Sequence, residues 1–246
     1  MTPARRLLIA ATVLIAGCAS LPDPPDIYAD VQPFSSVLPG ALFPDGWQPY
    51  ILSRLKRLTD YRAIAKDGRV VMRAEADTSA SGLTQSVSLD PRERPYLEWT
   101  WNVSAALSDA DNAHGPDDAP ARIVVAFAGD KDKWDFEDHA FAGRVKIWSG
   151  HELPYATLMY IWGNKDAAGT VIENRHSSRI RMIVAESGAD NTGQWIVERR
   201  NLYEDYKRAF GEEPGRIISV GIMSDTDNTA MKITAYYGDI HFLRQP

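Results

Sequence analysis

The sequence predicts an all-β protein: a single antiparallel, jelly-roll-like β-sandwich with one short helix, preceded by a leader and a proline-rich tether. Three observations carry this expectation. Apolar residues recur at every second position through most of the chain, Gly/Asp/Asn loops separate these runs, and helical patterns are missing between them.

The elements follow in order. Asp67-Gly68 is a hairpin pair, because a type I′ turn needs positive φ and this dipeptide tolerates it. It joins a strand over 61–66 to one over 69–77, in which Val70, Met72, Ala74 and Ala76 share one face and Arg73, Glu75 and Asp77 the other. Leu97, Trp99, Trp101 and Val103 alternate with Glu98, Thr100 and Asn102. Further strands are predicted over 121–128, 155–162, 178–186, 194–200, 216–223 and 232–243. The run over 216–223 is almost continuously apolar, which suits a central strand covered on both faces. The one helix starts at Asn201, an N-cap residue with Glu204 three positions on. It carries Leu202, Tyr203, Tyr206 and Phe210 as an apolar stripe and stops at Gly211 and Pro214.

The N-terminus reads as an export address. Arg5 and Arg6 precede a short apolar run over 7–16, too short for a bilayer span of roughly 20 residues. Ile15-Ala16-Gly17-Cys18 then resembles the lipobox of bacterial lipoproteins. The expected organisation is a signal peptide over 1–17, a flexible tether over 18–42 and the sandwich over 43–246, with lipid on Cys18 as the membrane attachment. Cys18 is the only cysteine, so the domain is expected to be stable without a disulfide. Ala19 follows it rather than aspartate, which by resemblance to Gram-negative lipoprotein sorting implies the outer membrane, facing the periplasm.

Charge excludes one class of partner. The 27 Lys and Arg against 33 Asp and Glu give −6, and removing Arg5 and Arg6 with the leader leaves 25 against 33, near −8. Such a surface repels phosphate backbones, so no nucleic-acid partner is expected.

No enzyme signature is complete: G-x-S-x-G, the P-loop and G-x-G-x-x-G are absent, and His151-Glu152 lacks the second histidine of a zincin. Two acidic runs, 108–118 and 130–138, offer oxygen ligands without an EF-hand pattern, and solvated loops are the alternative. Asp225, Asp227 and Asn228 leave the buried strand together, and Asp239 lies on the closing strand. Calcium is the candidate counter-ion for this set, against compensation by an arginine or by turn N–H groups. Trp134 and Trp148, in or beside polar loops, and Trp162 are candidate ligand-stacking residues. Asp118, Arg122, Glu198 and Arg199 are the candidates for acid, base or charge neutraliser.

Six strings resemble one family. AEADTSASG at 74–82, WTW at 99–101, DDAPAR at 117–122, YIW at 160–162, RRNLYEDYKRAFG at 199–211 and DTDNT at 225–229 are similar to an uncharacterised bacterial envelope family, domain of unknown function 3047. The resemblance runs from about Trp47 to the C-terminus and implies no established activity. YGDI at 237–240 is also similar to the closing strand of galactose-binding-like jelly rolls, which implies glycan and structural calcium. The expected function is therefore non-catalytic glycan binding in the cell envelope. The alternatives are a glycan-active hydrolase or lyase and a structural partner protein.

Only a thiol accepts the lipid. Cys18→Ser is therefore expected to move the protein from the detergent phase to the aqueous phase in a phase-partition assay, while unchanged partition would contradict the lipobox.

Overall fold

The computed structural model describes residues 27–246; the leader, Cys18 and the first part of the tether lie outside them. Twelve strands are formed: β1 (Trp47–Tyr50), β2 (Asp60–Lys66), β3 (Arg69–Asp77), β4 (Ala80–Leu89), β5 (Tyr96–Val103), β6 (Ala119–Phe127), β7 (Ala156–Gly163), β8 (Val171–Glu173), β9 (Ile180–Ser187), β10 (Ile196–Asn201), β11 (Ile217–Asp225) and β12 (Lys232–Leu243). They make a seven-stranded sheet, β1-β4-β11-β6-β7-β9-β8, and a five-stranded sheet, β10-β5-β12-β3-β2. Every neighbouring pair is antiparallel except β7 and β9, which run parallel. Among the described residues no helix is long and apolar enough to cross a membrane.

The period-two pattern becomes the interior. Trp99 and Trp101 of β5 are fully buried and meet Tyr160 and Trp162 of β7, with ring centroids 5.0 Å apart for Trp99–Tyr160 and 5.8 Å for Trp101–Trp162. Buried hydroxyls tie the sheets together. Tyr61 Oη donates to the Ser81 carbonyl (2.7 Å) and accepts from Ser224 N–H (3.0 Å), and Tyr237 Oη donates to the Met223 carbonyl (2.7 Å). Each phenol thus satisfies backbone groups of the larger sheet from a strand of the smaller one, and these bonds offset the cost of burying the oxygens.

Strand β11 lies inside the larger sheet, between β4 and β6, as its apolar run requires. The helix near 201 forms as expected, as α2 (Leu202–Phe210). Asn201 Oδ1 accepts from Glu204 N–H (3.1 Å), and Gly211 ends the helix in the left-handed region (φ 70°).

Beside the short strands β1 and β8, which no apolar alternation announced, four features depart from the sequence expectation. A second helix, α1 (Phe136–Ser149), occupies what was expected to be part of an acidic loop and its continuation. Its capping is regular: Asp135 accepts from Asp138 N–H (2.7 Å) and Gly150 closes it at φ 81°. Its apolar residues are not confined to one face, since Phe136 and Ile147 are exposed while Asp138 is buried. Strand β4 was missed because Gln85, fully buried, interrupts its inward apolar set. The single parallel pair corrects an otherwise antiparallel expectation.

The fourth correction moves the start of the folded domain from 43 back to about Tyr28. Tyr28 N–H donates to the Ser86 carbonyl (3.2 Å), and Gln85 Oε1 accepts from Gln32 N–H (2.8 Å). Phe34, 1% exposed, packs 4.6 Å from the Trp47 ring. Proline content marked this segment as a spacer, yet one buried aromatic anchors it. Phe34→Ala should accordingly cost about 3–5 kcal/mol in urea melts, the usual loss for a buried phenylalanine; a flexible segment would lose nothing measurable.

Candidate functional site

A groove of about 520 Å³ crosses the outer face of the seven-stranded sheet. Strand register builds its floor from two rows that run perpendicular to the strands. One is Gln48, Thr84, Gly221, Val124 and Met159, on β1, β4, β11, β6 and β7. The other is Ser86, Ser219, Ala126, Thr157 and Ile180, on β4, β11, β6, β7 and β9. Small side chains keep this floor low. At Gly221 a Cβ would lie 2.7 Å from the Leu83 carbonyl oxygen, so only glycine fits there.

Helix α1 makes one wall, through Phe141, Val145 and Trp148. Asp138 fixes its first turn by accepting from Ser177 Oγ (2.6 Å), Ser178 N–H (2.9 Å) and Ser178 Oγ (2.5 Å). Burial pushes the Asp138 carboxyl up, but these donors outweigh it and hold the group below its ordinary range. The far end is tied by Arg54 N–H, which donates to the Trp148 carbonyl (3.3 Å). The helix therefore runs across the strands, from the turn before β9 toward the segment after β1. Tyr50 and His151 face each other at that second end, stacked at 5.6 Å, and burial raises the Tyr50 phenol.

Charges are sparse in the groove. Lys56 is bound to Asp227 at 2.6 Å. Glu152 is the one carboxylate among the lining residues, and Lys146 at 3.0 Å holds it below its usual range. The outer face of the smaller sheet is the opposite case, an ion-paired surface on which Arg73 meets Asp60 and Glu75, and Arg199 meets Glu98.

The structure separates the residues singled out from sequence. Asp118 is buried and accepts from Asn228 N–H (3.0 Å), Asn228 Nδ2 (2.8 Å), Thr229 N–H (2.7 Å) and Thr229 Oγ1 (2.7 Å). Arg122 pairs with Asp225 (3.2 Å), and its guanidinium also donates to the Asp117 carbonyl. Asp225 further accepts from Ala119 N–H (2.8 Å); burial pushes its carboxyl up, to about 7, against the pull of Arg122. Asp239 belongs elsewhere, accepting from Ser35 N–H (2.9 Å) and Ser35 Oγ (2.6 Å). Of the calcium-ligand candidates, Asp225, Asp227 and Asp239 thus have separate protein partners in Arg122, Lys56 and Ser35, while Asn228 donates to Asp118. Among the described residues no group of three or more His, Cys, Asp or Glu side chains is placed to hold a metal.

Asp118 and Arg122 share this buried network, while Glu198 and Arg199 lie on β10. Glu198 and Arg199 point to opposite faces of β10, Arg199 outward to Glu98 and Glu198 inward beside Trp99. Burial, with the Glu186 carboxylate adding to it, raises Glu198 to about 7, and its Oε1 has no hydrogen-bond partner. That is the environment of a general acid, but Glu198 lines neither the groove nor the two smaller clefts of about 230 and 190 Å³. Of the tryptophans, Trp134 is buried with its Nε1 donating to the Tyr155 carbonyl (3.1 Å), and Trp162 is fully buried in the core. Trp148, 52% exposed, is the one that lines the groove. Sequence reasoning missed the floor itself, since its residues are ordinary outward positions of six strands that only register brings together.

The chain belongs to the family described as Protein of unknown function (DUF3047), whose model matches residues 45–241. No curated protein matches it. Its fold is similar to solved carbohydrate-binding and glycoside hydrolase domains. The family 11 carbohydrate-binding module of cellulase Lic26A-Cel5E of Clostridium thermocellum shares 11% identity, with 85% of this chain and 90% of that one covered, at a TM-score of 0.38. The xyloglucanase domain of NopAA from Sinorhizobium fredii shares 8%, with 82% and 94% covered, at 0.41. The glycoside hydrolase domain of Endo-D from Streptococcus pneumoniae R6 shares 8% at 0.36; the match takes in 81% of this chain but only 21% of that domain.

Glu198 gives a pH signature. Its folded value, near 7, lies above the ordinary 4.5, so its contribution to stability is full below about pH 4.5 and is lost as pH rises to 7. Glu198→Gln should therefore match the wild type near pH 4 and exceed it by about 1–3 kcal/mol at pH 8 in denaturant melts. A gap independent of pH would contradict this burial.

Proposed function

We propose that this protein is a non-catalytic, lipid-anchored protein of the cell envelope that binds a glycan in the groove on its larger sheet. The observation that carries the reading is the pairing, at one end of the groove, of Tyr50, His151 and Trp148 with a floor of Gln48, Thr84, Ser86 and Ser219. Sugar rings present apolar C–H faces that stack on aromatic rings and hydroxyls that need donors and acceptors. This end supplies both. A volume of about 520 Å³ is within the ordinary range for ligand sites.

The lining supports binding over hydrolysis. Glycoside hydrolysis uses two carboxyl groups, about 5–9.5 Å apart, flanking the bond. Glu152 alone lines the groove, and it is held ionised by Lys146 and Lys131, so the general-acid role has no occupant. The lipid on Cys18, the outer-membrane address and the periplasmic orientation are part of this proposal and rest on the lipobox and on Ala19.

A glycan array probed with the full-length protein and with Trp148→Ala tests the reading. Binding to a defined set of glycans, weakened about tenfold or more by Trp148→Ala, is the expected result, since a stacking ring contributes roughly 1–2 kcal/mol. Equal signals from both proteins would place the ligand elsewhere.

A further inference from the structure

The groove is not uniform along its length. Over β1, β4 and β11 its floor offers the polar groups of Gln48, Thr84, Ser86 and Ser219 beside Gly221, with Ile218 and Met223 of β11 also lining it; over β6, β7 and β9 it becomes Val124, Ala126, Met159 and Ile180, with Thr157 the one hydroxyl. The wall changes in the same sense. Trp148 lies at the end where Tyr50 and His151 stack. Phe141 lies at the other, beside His176 and close to the turn that Asp138 grips before β9. Val145 stands between them.

A free oligosaccharide carries hydroxyls along its whole length. Laid across the groove, it would strip water from those over the β6–β7–β9 half, where Val124, Ala126, Met159 and Ile180 return no hydrogen bonds. An apolar chain costs nothing there and gains from leaving water. We propose that the ligand is an amphiphilic glycan: a sugar head over the β1–β4–β11 half and a covalently attached alkyl or acyl chain over the β6–β7–β9 half, beneath Phe141 and Val145. This deepens the glycan reading and rests on it.

The test is calorimetric titration of the full-length protein with n-alkyl β-D-glucosides from hexyl to decyl, each kept below its micelle concentration. Alkyl dimethylamine oxides of equal chain length provide the sugarless comparison. Affinity is expected to rise about fourfold for each methylene that enters the apolar half, and each glucoside should bind more tightly than its amine oxide. Met159→Lys, on a half-exposed floor position, should flatten the dependence on chain length. Ser86→Ala with Ser219→Ala should weaken the glucosides alone, and far-UV spectra of both variants should match the wild type. If Met159→Lys misfolds, Thr157→Glu on the neighbouring row makes the same test. Affinity that does not change with chain length, in a protein that still binds array glycans, overturns the inference and leaves the glycan reading intact. Equal affinity for glucosides and amine oxides overturns both, leaving an alkyl-chain site.

Discussion

The interior of this sandwich is full, and the placement of any ligand follows from that. Trp99, Trp101, Tyr160 and Trp162 are each fully buried and packed ring against ring between the sheets. Protein cores fill at crystal-like density, so four such rings leave no internal chamber of the kind a roomier barrel offers. A ligand must use an outer face. The smaller sheet's outer face is occupied by its own ion pairs, Arg73 with Asp60 and Glu75, Arg199 with Glu98 and Lys232 with Asp77. The larger sheet keeps its outer face low and nearly uncharged, and α1 turns that face into a groove.

The acidic residues that drew attention in the sequence are spent on architecture. Asp118 satisfies two backbone N–H groups and two side chains of the 225–229 turn, and Asp225 neutralises a fully buried guanidinium. Removing one partner of such a buried pair leaves an uncompensated charge, so these residues are constrained whatever the protein binds. The same network reaches the groove indirectly, because Asp227 of this turn holds Lys56 at the rim.

How much was legible in the sequence follows from the range of each signal. Period-two alternation is local, so the strands around Met72 and Trp99 could be placed from the chain alone, as could that around Ile222 from its unbroken apolar run and α2 from its Asn201 cap. Helix α1 had equally good caps in Asp135 and Gly150, but its groove-facing Phe141, Val145 and Trp148 are masked by the exposed Phe136 and Ile147, so the amphipathic signal is weak. Strand β4 was hidden by Gln85, whose inward amide serves the backbone near Asp30 and Gln32. The groove was the least legible part. Ser86, Ser219, Ala126 and Thr157 become neighbours only through the register of four strands spread from 86 to 219 in the chain, and no local pattern encodes that register.

Hydrogen–deuterium exchange, with and without a glycan selected on the array, tests most directly whether the larger sheet's outer face is the binding surface. The account predicts that ligand slows exchange in 48–53, 82–86, 124–126, 141–159 and 219–223, segments of the floor and walls, and leaves 96–103 and 225–229 unchanged. Protection confined to 96–103 and 225–229, with the groove segments unaltered, would contradict it.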